Sequence, residues 1–269
     1  MKIATLGPKG TFSHQAVLLH DKDSEIVFEN TIRDVFDSVE KNKANCGIVP
    51  VENSIAGTVG QTLDYLRDFN LKIMAENVIP INHNLAGFGK IKDIMVLYLH
   101  QQTYEQCELF IRKNLIKAEV VITSSNGKSA EIIAKSKDKT KASIIPKIAA
   151  SIYRLKVLKE NVQDKRFNFT RFFAVGKDDA KKSGNDKSSI IIHPNHDRPG
   201  LLYEMLAEFA KRKINLTKIE SRPSKGKLGD YVFYMDFEGH RTESHIKEAL
   251  KKLEELATVK MLGSYPRKY

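Results

Sequence analysis

Three short runs in this sequence place small polar side chains where the chain reverses direction, and hydrogen-bond chemistry can be done there. Gly7-Pro8-Lys9-Gly10-Thr11-Phe12-Ser13-His14 follows the first apolar run and opens a helical pattern. Its two glycines allow a tight turn, and Thr11 or Ser13 can cap the helix, whose first N–H groups form an anion site. It is not a P-loop, because Lys-Ser/Thr does not follow the second glycine at the required spacing. The apolar pattern Cys46–Val51 runs into Glu52-Asn53-Ser54 and restarts as a helix near Thr58. That sets small polar side chains at the carboxyl edge of a sheet, where open α/β sheets bind ligands. Asn168-Phe169-Thr170-Arg171-Phe172-Phe173 is the third run, and in an extended segment Thr170 and Arg171 point to opposite faces. Taken singly, each run is more commonly explained by capping or surface hydrogen bonding. There is no Ser/His/Asp set, paired-carboxylate spacing or His-Glu-x-x-His run. Any chemistry must therefore rest on hydrogen bonds and placed cations.

The elements that must position these runs alternate. Strand patterns fall at Ile3–Leu6, Glu25–Phe28, Cys46–Val51, Leu71–Ile79, Asp93–Leu99, Glu119–Thr123, Ala142–Ile145 and Arg171–Val175. Helical patterns lie between them at Ile32–Lys41, Thr58–Asp68, Tyr104–Asn114 and Asn126–Lys135, the first opened by Thr31 with Asp34 three residues on. Such alternation predicts crossover connections and a mostly parallel sheet, as one large sheet or two smaller lobes. Lys177–Lys187 is polar and reads as a linker. Beyond it come a strand (Ser188–His193), a helix (Leu201–Lys211), two strands (Leu216–Ser221, Asp230–Glu238), a helix (Glu243–Leu256) and a last strand (Val259–Ser264). The second helix places Ile246, Leu250 and Leu253 on one face. This βαββαβ order is the ferredoxin-like arrangement.

Composition narrows the class. A chain of 269 residues suits two or three domains, and 41% hydrophobic content can build real cores. No apolar run approaches the ~20 residues of a membrane span, and Met-Lys-Ile-Ala-Thr-Leu leads directly into a strand with no room for a signal peptide. Cys46 and Cys107 are far apart and form no metal-ligand cluster with the eight histidines, so two buried reduced thiols in a cytoplasmic protein are expected. The net charge of +11 is spread along the chain, with 26 Lys and Arg against 21 Asp and Glu in residues 1–179 and 18 against 12 in residues 180–269. The even spread, without a stacking platform of interleaved aromatic and basic residues along the chain, argues against nucleic-acid binding.

Read together, GPKGTFSHQA, VPVENSIAGTV, IPINHNLAG, TSSNGKSA and ENVQDKRFNFTRFFAVG stand in the order and spacing of the prephenate dehydratase family, which the chain resembles from Ile3 to about Ser264. HDRPGLLYEMLAEFAKRKINLTKIESRP resembles that family's ACT domain, an amino-acid-sensing module, with its signature at Glu220-Ser221-Arg222-Pro223. The resemblance implies a catalytic body of two α/β lobes, like a type-2 periplasmic binding protein, over residues 1–178. A linker at 179–187 and an ACT domain at 188–269 would follow. It implies decarboxylating dehydration of prephenate to phenylpyruvate without metal or cofactor. Inhibition by L-phenylalanine and a homodimer or homotetramer also follow from it, while the charge spread and the lack of a long apolar run lead to no nucleic-acid or membrane partner being expected. Thr170 maps onto the family's catalytic threonine. Thr11, Ser13, Asn53, Ser54, His83, Ser125, Asn168, Arg171 and Phe172 fall in motifs around the cleft. Arg171 suits capture of the pyruvyl carboxylate, because a clamp on the departing carboxylate would stabilise the ground state. Asn195, Asp197, Pro199, Gly200, Leu201, Leu202, Glu220, Ser221 and Arg222 map onto the effector site, with Leu201 and Leu202 as an apolar wall. Two departures stand out: Leu99-His100-Gln101-Gln102 replaces the family's Ser-His-Pro-Gln, and Gly200-Leu201-Leu202 replaces Gly-Ala-Leu. The chain starts at the dehydratase motif, so no chorismate mutase domain is expected before it. Arogenate dehydratase chemistry, or an anion sensor without chemistry, are the alternative readings.

Overall fold

The computed structural model describes residues 1–196, 198–226 and 229–269. The chain runs β1 (Lys2–Leu6), α1 (Phe12–His20), β2 (Glu25–Glu29), α2 (Ile32–Glu40), β3 (Cys46–Asn53), β4 (Gly57–Thr58), α3 (Gly60–Asp68) and β5 (Lys72–Pro80). Next come β6 (Asn84–Gly87), β7 (Val96–His100), α4 (Gln101–Gln106), α5 (Glu108–Asn114), β8 (Glu119–Thr123) and α6 (Asn126–Ser136). They are followed by β9 (Lys141–Ile145), α7 (Lys147–Ile152), β10 (Lys156–Lys159) and β11 (Phe169–Gly176). The C-terminal module is β12 (Asp186–Pro194), α8 (Leu201–Lys211), β13 (Leu216–Pro223), β14 (Tyr231–Glu238), α9 (Ser244–Glu254) and β15 (Ala257–Pro266).

Local chemistry explains most of these bounds. The Thr31 hydroxyl accepts from Asp34 N while an Asp34 carboxylate oxygen accepts from Thr31 N, a reciprocal cap that starts α2. The helix expected over Tyr104–Asn114 divides at Cys107 into α4 and α5. Asp164 makes the break possible, because its carboxylate accepts from the N–H groups of Leu109 and Phe110 at the start of α5. No local signal in the sequence could announce a cap 54 residues away.

Three sheets form among the described residues, in strand orders β2-β1-β3-β11-β5 (with β4 on β3), β10-β6-β9-β7-β8 and β13-β14-β12-β15. Mostly parallel pairing was expected in the first two. β1 pairs parallel with β2, and β7 with β8 and β9, but β6 runs antiparallel to β9 and β10. Both β6 and β10 are only four residues long, and neither strand was anticipated. The second sheet is covered on both faces. Leu85, Leu97 and Ile144 pack with Cys107 and Ile111, whereas Ala86 and Ile145 pack with Ala130, Ile133 and Ala149. The third sheet is wholly antiparallel, as a βαββαβ order requires, and buries Ile190, Ile192, Met205, Phe209, Phe237, Ile246 and Leu253.

By compactness the chain divides into Met1–Val35, Ile48–Val59 and Asn77–Phe172 as one unit, and Phe36–Gly47, Gly60–Glu76 and Phe173–Tyr269 as another. In the second unit the Tyr234 hydroxyl donates to the Leu63 carbonyl, and Lys260 Nζ donates to the carbonyls of Arg67 and Phe69. Among the described residues no helix is long and apolar enough to cross a membrane. The polar stretch read as a linker gives its last two residues to β12. Lys187 is fully buried there because it meets Glu76, equally buried, at 3.2 Å. Removing one partner of such a pair strands a buried charge. Glu76→Gln is therefore predicted to cost about 3–5 kcal/mol, and Glu76→Gln with Lys187→Met markedly less, in a double-mutant cycle by urea unfolding.

Candidate active site

β11 and the end of β3 supply the centre of the site. Alternation along β11 sends Thr170 and Phe172 into a cavity of about 330 Å³, lined also by Thr11, Ser13, Asn53 and Ser125. Arg171, between them, lines neither this cavity nor the one beside it. Its guanidinium is buried and meets Glu52 at 3.3 Å. The expectation that Arg171 holds a substrate carboxylate is thus corrected by strand geometry: the side chain belongs to the opposite face.

Asn53 fixes the polarity of everything around Thr170. Its Oδ1 accepts from the backbone N–H groups of Ile55 (3.0 Å) and Ala56 (2.9 Å). Backbone N–H groups only donate, so the amide cannot be turned over, and Nδ2 must face the other way. There it meets Thr170 Oγ1 at 3.0 Å, Asn168 Oδ1 at 2.7 Å and the Phe169 carbonyl at 3.0 Å. Thr170 therefore accepts from Asn53, and its own hydrogen is directed elsewhere. The order propagates. Asn168 Nδ2 donates to Gln106 Oε1 at 2.9 Å, and the same oxygen lies 2.9 Å from His83 Nε2. An oxygen that accepts from Asn168 makes His83 the Nε2–H tautomer. Ser54 lines neither cavity but secures the register: it accepts from Phe169 N through Oγ and donates its own N–H to the Phe169 carbonyl.

Three helices begin at the cavity wall. Thr11 caps α1 by accepting from His14 N, Ser125 caps α6 by accepting from Lys128 N, and His100 Nδ1 caps α4 by accepting from Gln102 N. Thr11, Phe12 and Ser13, then Ser125 and Asn126, then His100 and Gln102 all line the cavity. The first N–H groups of α1 and α6 have no acceptor within their own helices, and the helix dipoles add positive potential at these ends. Gly127 allows α1 and α6 to converge, since a Cβ there would lie 2.5 Å from the Lys9 carbonyl oxygen. No lysine, arginine or carboxylate is among the lining residues of either cavity. Burial lowers the pKa of His83 and of His100, so both are neutral near pH 7. An anion bound here is held by oriented dipoles, without formal positive charge.

The second cavity, of about 50 Å³, adjoins the first. Phe12, Asn53, His100, Gln102, Asn126 and Thr170 line both, and His83, Thr103 and Gln106 are added in the smaller one. Sequence reading missed Gln106, His100, Gln102, Asn30 and Asn126. The edge rule that found Asn53 would have found His100, which ends β7. Gln106 had no signal, because a lone glutamine on a helix is ordinarily a surface residue. Among the described residues no group of three or more His, Cys, Asp and Glu side chains is placed to hold a metal ion. Both cysteines are buried and free, and desolvation pushes the Cys46 thiol to about 12.

The chain matches the family model for prephenate dehydratase over residues 3–180 and that for the ACT domain over residues 195–255. It belongs to the prephenate dehydratase family. It is 44% identical over 270 residues to the bifunctional chorismate mutase/prephenate dehydratase of Aquifex aeolicus, covering 99% of this chain and 74% of that protein. It is 43% identical over 267 residues to the prephenate dehydratase of Methanocaldococcus jannaschii, covering 96% of each. The crystal structure of a prephenate dehydratase from Arthrobacter aurescens, in complex with L-Phe, matches with a TM-score of 0.92 at 32% identity over 99% of this chain and 90% of that one. The resemblance read from the motifs is therefore borne out at the level of the family and its ACT domain.

The residues mapped onto the ACT effector site divide in the same way as those of the cleft. Gly200 stands before α8 at φ 85°, a left-handed conformation that side chains resist. Asn195 and Pro199 are exposed beside it, while Asp197 lies outside the described residues. Leu201 is not an outward wall. It joins Met205 and Phe209 on the inner face of α8, at i, i+4 and i+8, and packs into the module's core, with Leu202 half-buried beside it. Glu220 pairs with Lys218 and Arg222, Arg222 reaches Asp64 of α3 at 3.4 Å, and Ser221 between them is exposed.

Asn53→Asp keeps both bonds from Ile55 and Ala56 but sets an acceptor against Thr170 Oγ1. The variant is predicted to fold, to lose roughly 1–3 kcal/mol of stability, and to lose turnover by about 100-fold or more. Urea melts and steady-state kinetics check both.

Proposed function

We propose that this protein converts prephenate to phenylpyruvate, carbon dioxide and water, with Thr170 as the catalytic residue. The supporting observation is the Asn53-to-Thr170 bond, which commits the threonine oxygen as an acceptor and leaves its hydrogen for the substrate. Prephenate carries two carboxylates and a ring hydroxyl. Loss of the ring carboxylate and the hydroxyl creates an aromatic ring, so the driving force is in the substrate. The protein must orient it and favour departure of the oxygen. The kept pyruvyl carboxylate fits the N-termini of α1 and α6. A cavity wall without lysine or arginine does not clamp the departing carboxylate, and so does not stabilise the ground state. A threonine hydroxyl is a weak acid in water, but one held in place beside bound substrate, which displaces water from around it, is an effective donor to the oxygen that leaves.

The reading extends to organisation. Residues 1–178 form the catalytic segment, 179–187 the linker and 188–269 the regulatory ACT domain of a cytoplasmic homodimer or homotetramer. L-Phenylalanine binds the ACT domain near Gly200 and Glu220–Arg222. The A. aurescens relative, solved with L-Phe, supports this, as do the exposed Ile219 and Tyr231 side chains on β13 and β14, which offer apolar surface for pairing.

Thr170→Ala is predicted to lower kcat by two or more orders of magnitude with the fold intact, and Thr170→Ser to keep more activity than Ala or Val. Phenylpyruvate absorbance in alkali, with prephenate and arogenate as parallel substrates, is the assay. An alanine variant with near-normal turnover would remove the threonine from the mechanism. Gly200→Val, forced to a left-handed φ, is predicted to weaken L-phenylalanine binding tenfold or more by calorimetry.

A further inference from the structure

The strand that carries the effector motif has two faces, and they meet different things. Where β13 pairs antiparallel with β14, Glu220 stands opposite Tyr234, Ser221 opposite Phe233 and Arg222 opposite Val232. Opposite residues share a face, and faces alternate along a strand. Phe233 packs on the core that holds Leu201 and Met205 of α8, so Ser221 belongs to the helix-covered face, the side of Gly200. Glu220 and Arg222 belong to the other face with Tyr234, whose hydroxyl donates to the Leu63 carbonyl.

That second face meets α3 along one line. Gly60, Leu63, Asp64 and Arg67 lie at i, i+3, i+4 and i+7 of the helix. The Arg222 guanidinium rests against Gly60, where a Cβ would come within 2.7 Å of both terminal nitrogens. Asp64 is buried and accepts from Arg222 at 3.4 Å and from Lys225 Nζ at 2.7 Å. Arg67 donates to the Ser224 carbonyl at 2.9 Å. The peptide bond ahead of Gly60 joins it to Val59, which lines the larger cavity. Val59 N donates to the Val51 carbonyl at 2.7 Å, and Gly57 and Thr58 pair with Asn53 and Glu52. A shift in the first turn of α3 therefore acts on the strand pair that carries Asn53.

We propose that Glu220–Pro223 divides its work between these faces. Ser221 and the backbone beside it receive L-phenylalanine, and Arg222, seated on Gly60 and Asp64, passes the position of β13 to α3 and so to the cavity. The proposal rests on the reading of the C-terminal module as an L-phenylalanine sensor. Arg222 and Asp64 are on this account positioning residues, which touch neither substrate nor effector. An effector shifts an equilibrium only by binding one arrangement better than the other. Here the arrangements are two placements of β13, and the contact with α3 is what makes the placement matter at Asn53 and Thr170.

The test compares Gly60→Ala and Asp64→Ala with wild type, by calorimetry with L-phenylalanine and by kcat/KM for prephenate with and without saturating L-phenylalanine. The two variants break the contact by different means. Gly60 has no left-handed φ and alanine favours a helix, so the added methyl group displaces only the flexible end of Arg222. Asp64→Ala removes the acceptor and leaves Gly60 in place. Both variants are expected to bind L-phenylalanine and to keep the basal kcat/KM of wild type. The factor by which saturating L-phenylalanine lowers kcat/KM is expected to fall about fivefold or more, the low end of usual couplings. Inhibition of wild-type strength in both variants overturns the proposal. So does loss of L-phenylalanine binding in Gly60→Ala, which would make Arg222 a ligand of the effector. Lower basal kcat/KM with inhibition unaltered gives the contact a structural role alone and also overturns it. Wild type that binds no L-phenylalanine, or converts no prephenate, refutes the underlying reading instead.

Discussion

Two backbone N–H groups, those of Ile55 and Ala56, set the direction of the hydrogen bonds that run from Thr170 to His83. By donating to Asn53 Oδ1 they fix which end of that amide faces β11, and the direction passes to Thr170, Asn168, Gln106 and His83. The interaction is local, within a turn of four residues, yet it orders side chains contributed by β3, β11, α4 and the segment before β6. A hydroxyl held as an acceptor is a committed donor. On the proposed reading, a residue with no acidity of its own is in this way set up as a donor. Preorganisation of this kind has most effect where the surroundings are of low polarity, since a fixed dipole acts more strongly there than in water.

The same economy governs how an anion would be held. Three helix starts, each closed by its own cap at Thr11, Ser125 or His100, point their first turns at one space. Glycine at position 127 brings two of them together. Arg171, next to Thr170 in sequence, is spent on Glu52 instead. For a reaction in which one carboxylate must depart, attraction by spread dipoles is better suited than a bidentate clamp, which would hold the departing group as firmly as the one that stays.

The sequence made much of this legible, and the parts it hid share a physical cause. Alternation along Phe169–Phe173 already placed Thr170 and Arg171 on opposite faces, and the caps at Thr11 and Ser125 follow from residue type beside a helical pattern. The βαββαβ module was readable because its amphipathic helices carry core residues at regular spacing, Ile246 and Leu253 among them. What escaped notice depends on distant partners. Asp164 capping α5, Glu76 burying Lys187 and Asn168 orienting Gln106 all span tens of residues. A lone Gln106 on a short helix, or a lysine at the end of a polar run, looks like surface until its partner is in place. Leu201 reads as a ligand wall from its motif, but the phase of α8 turns it inward.

Neutron diffraction on deuterium-exchanged crystals tests the directed network most directly, because it sees the hydrogens on which the polarity depends. The account predicts deuterons on Asn53 Nδ2 facing Thr170 Oγ1, and on His83 Nε2 facing Gln106, with Nδ1 bare in the ligand-free protein. An Asn53 oxygen facing Thr170, or a His83 deuteron on Nδ1 with Nε2 bare, would contradict it.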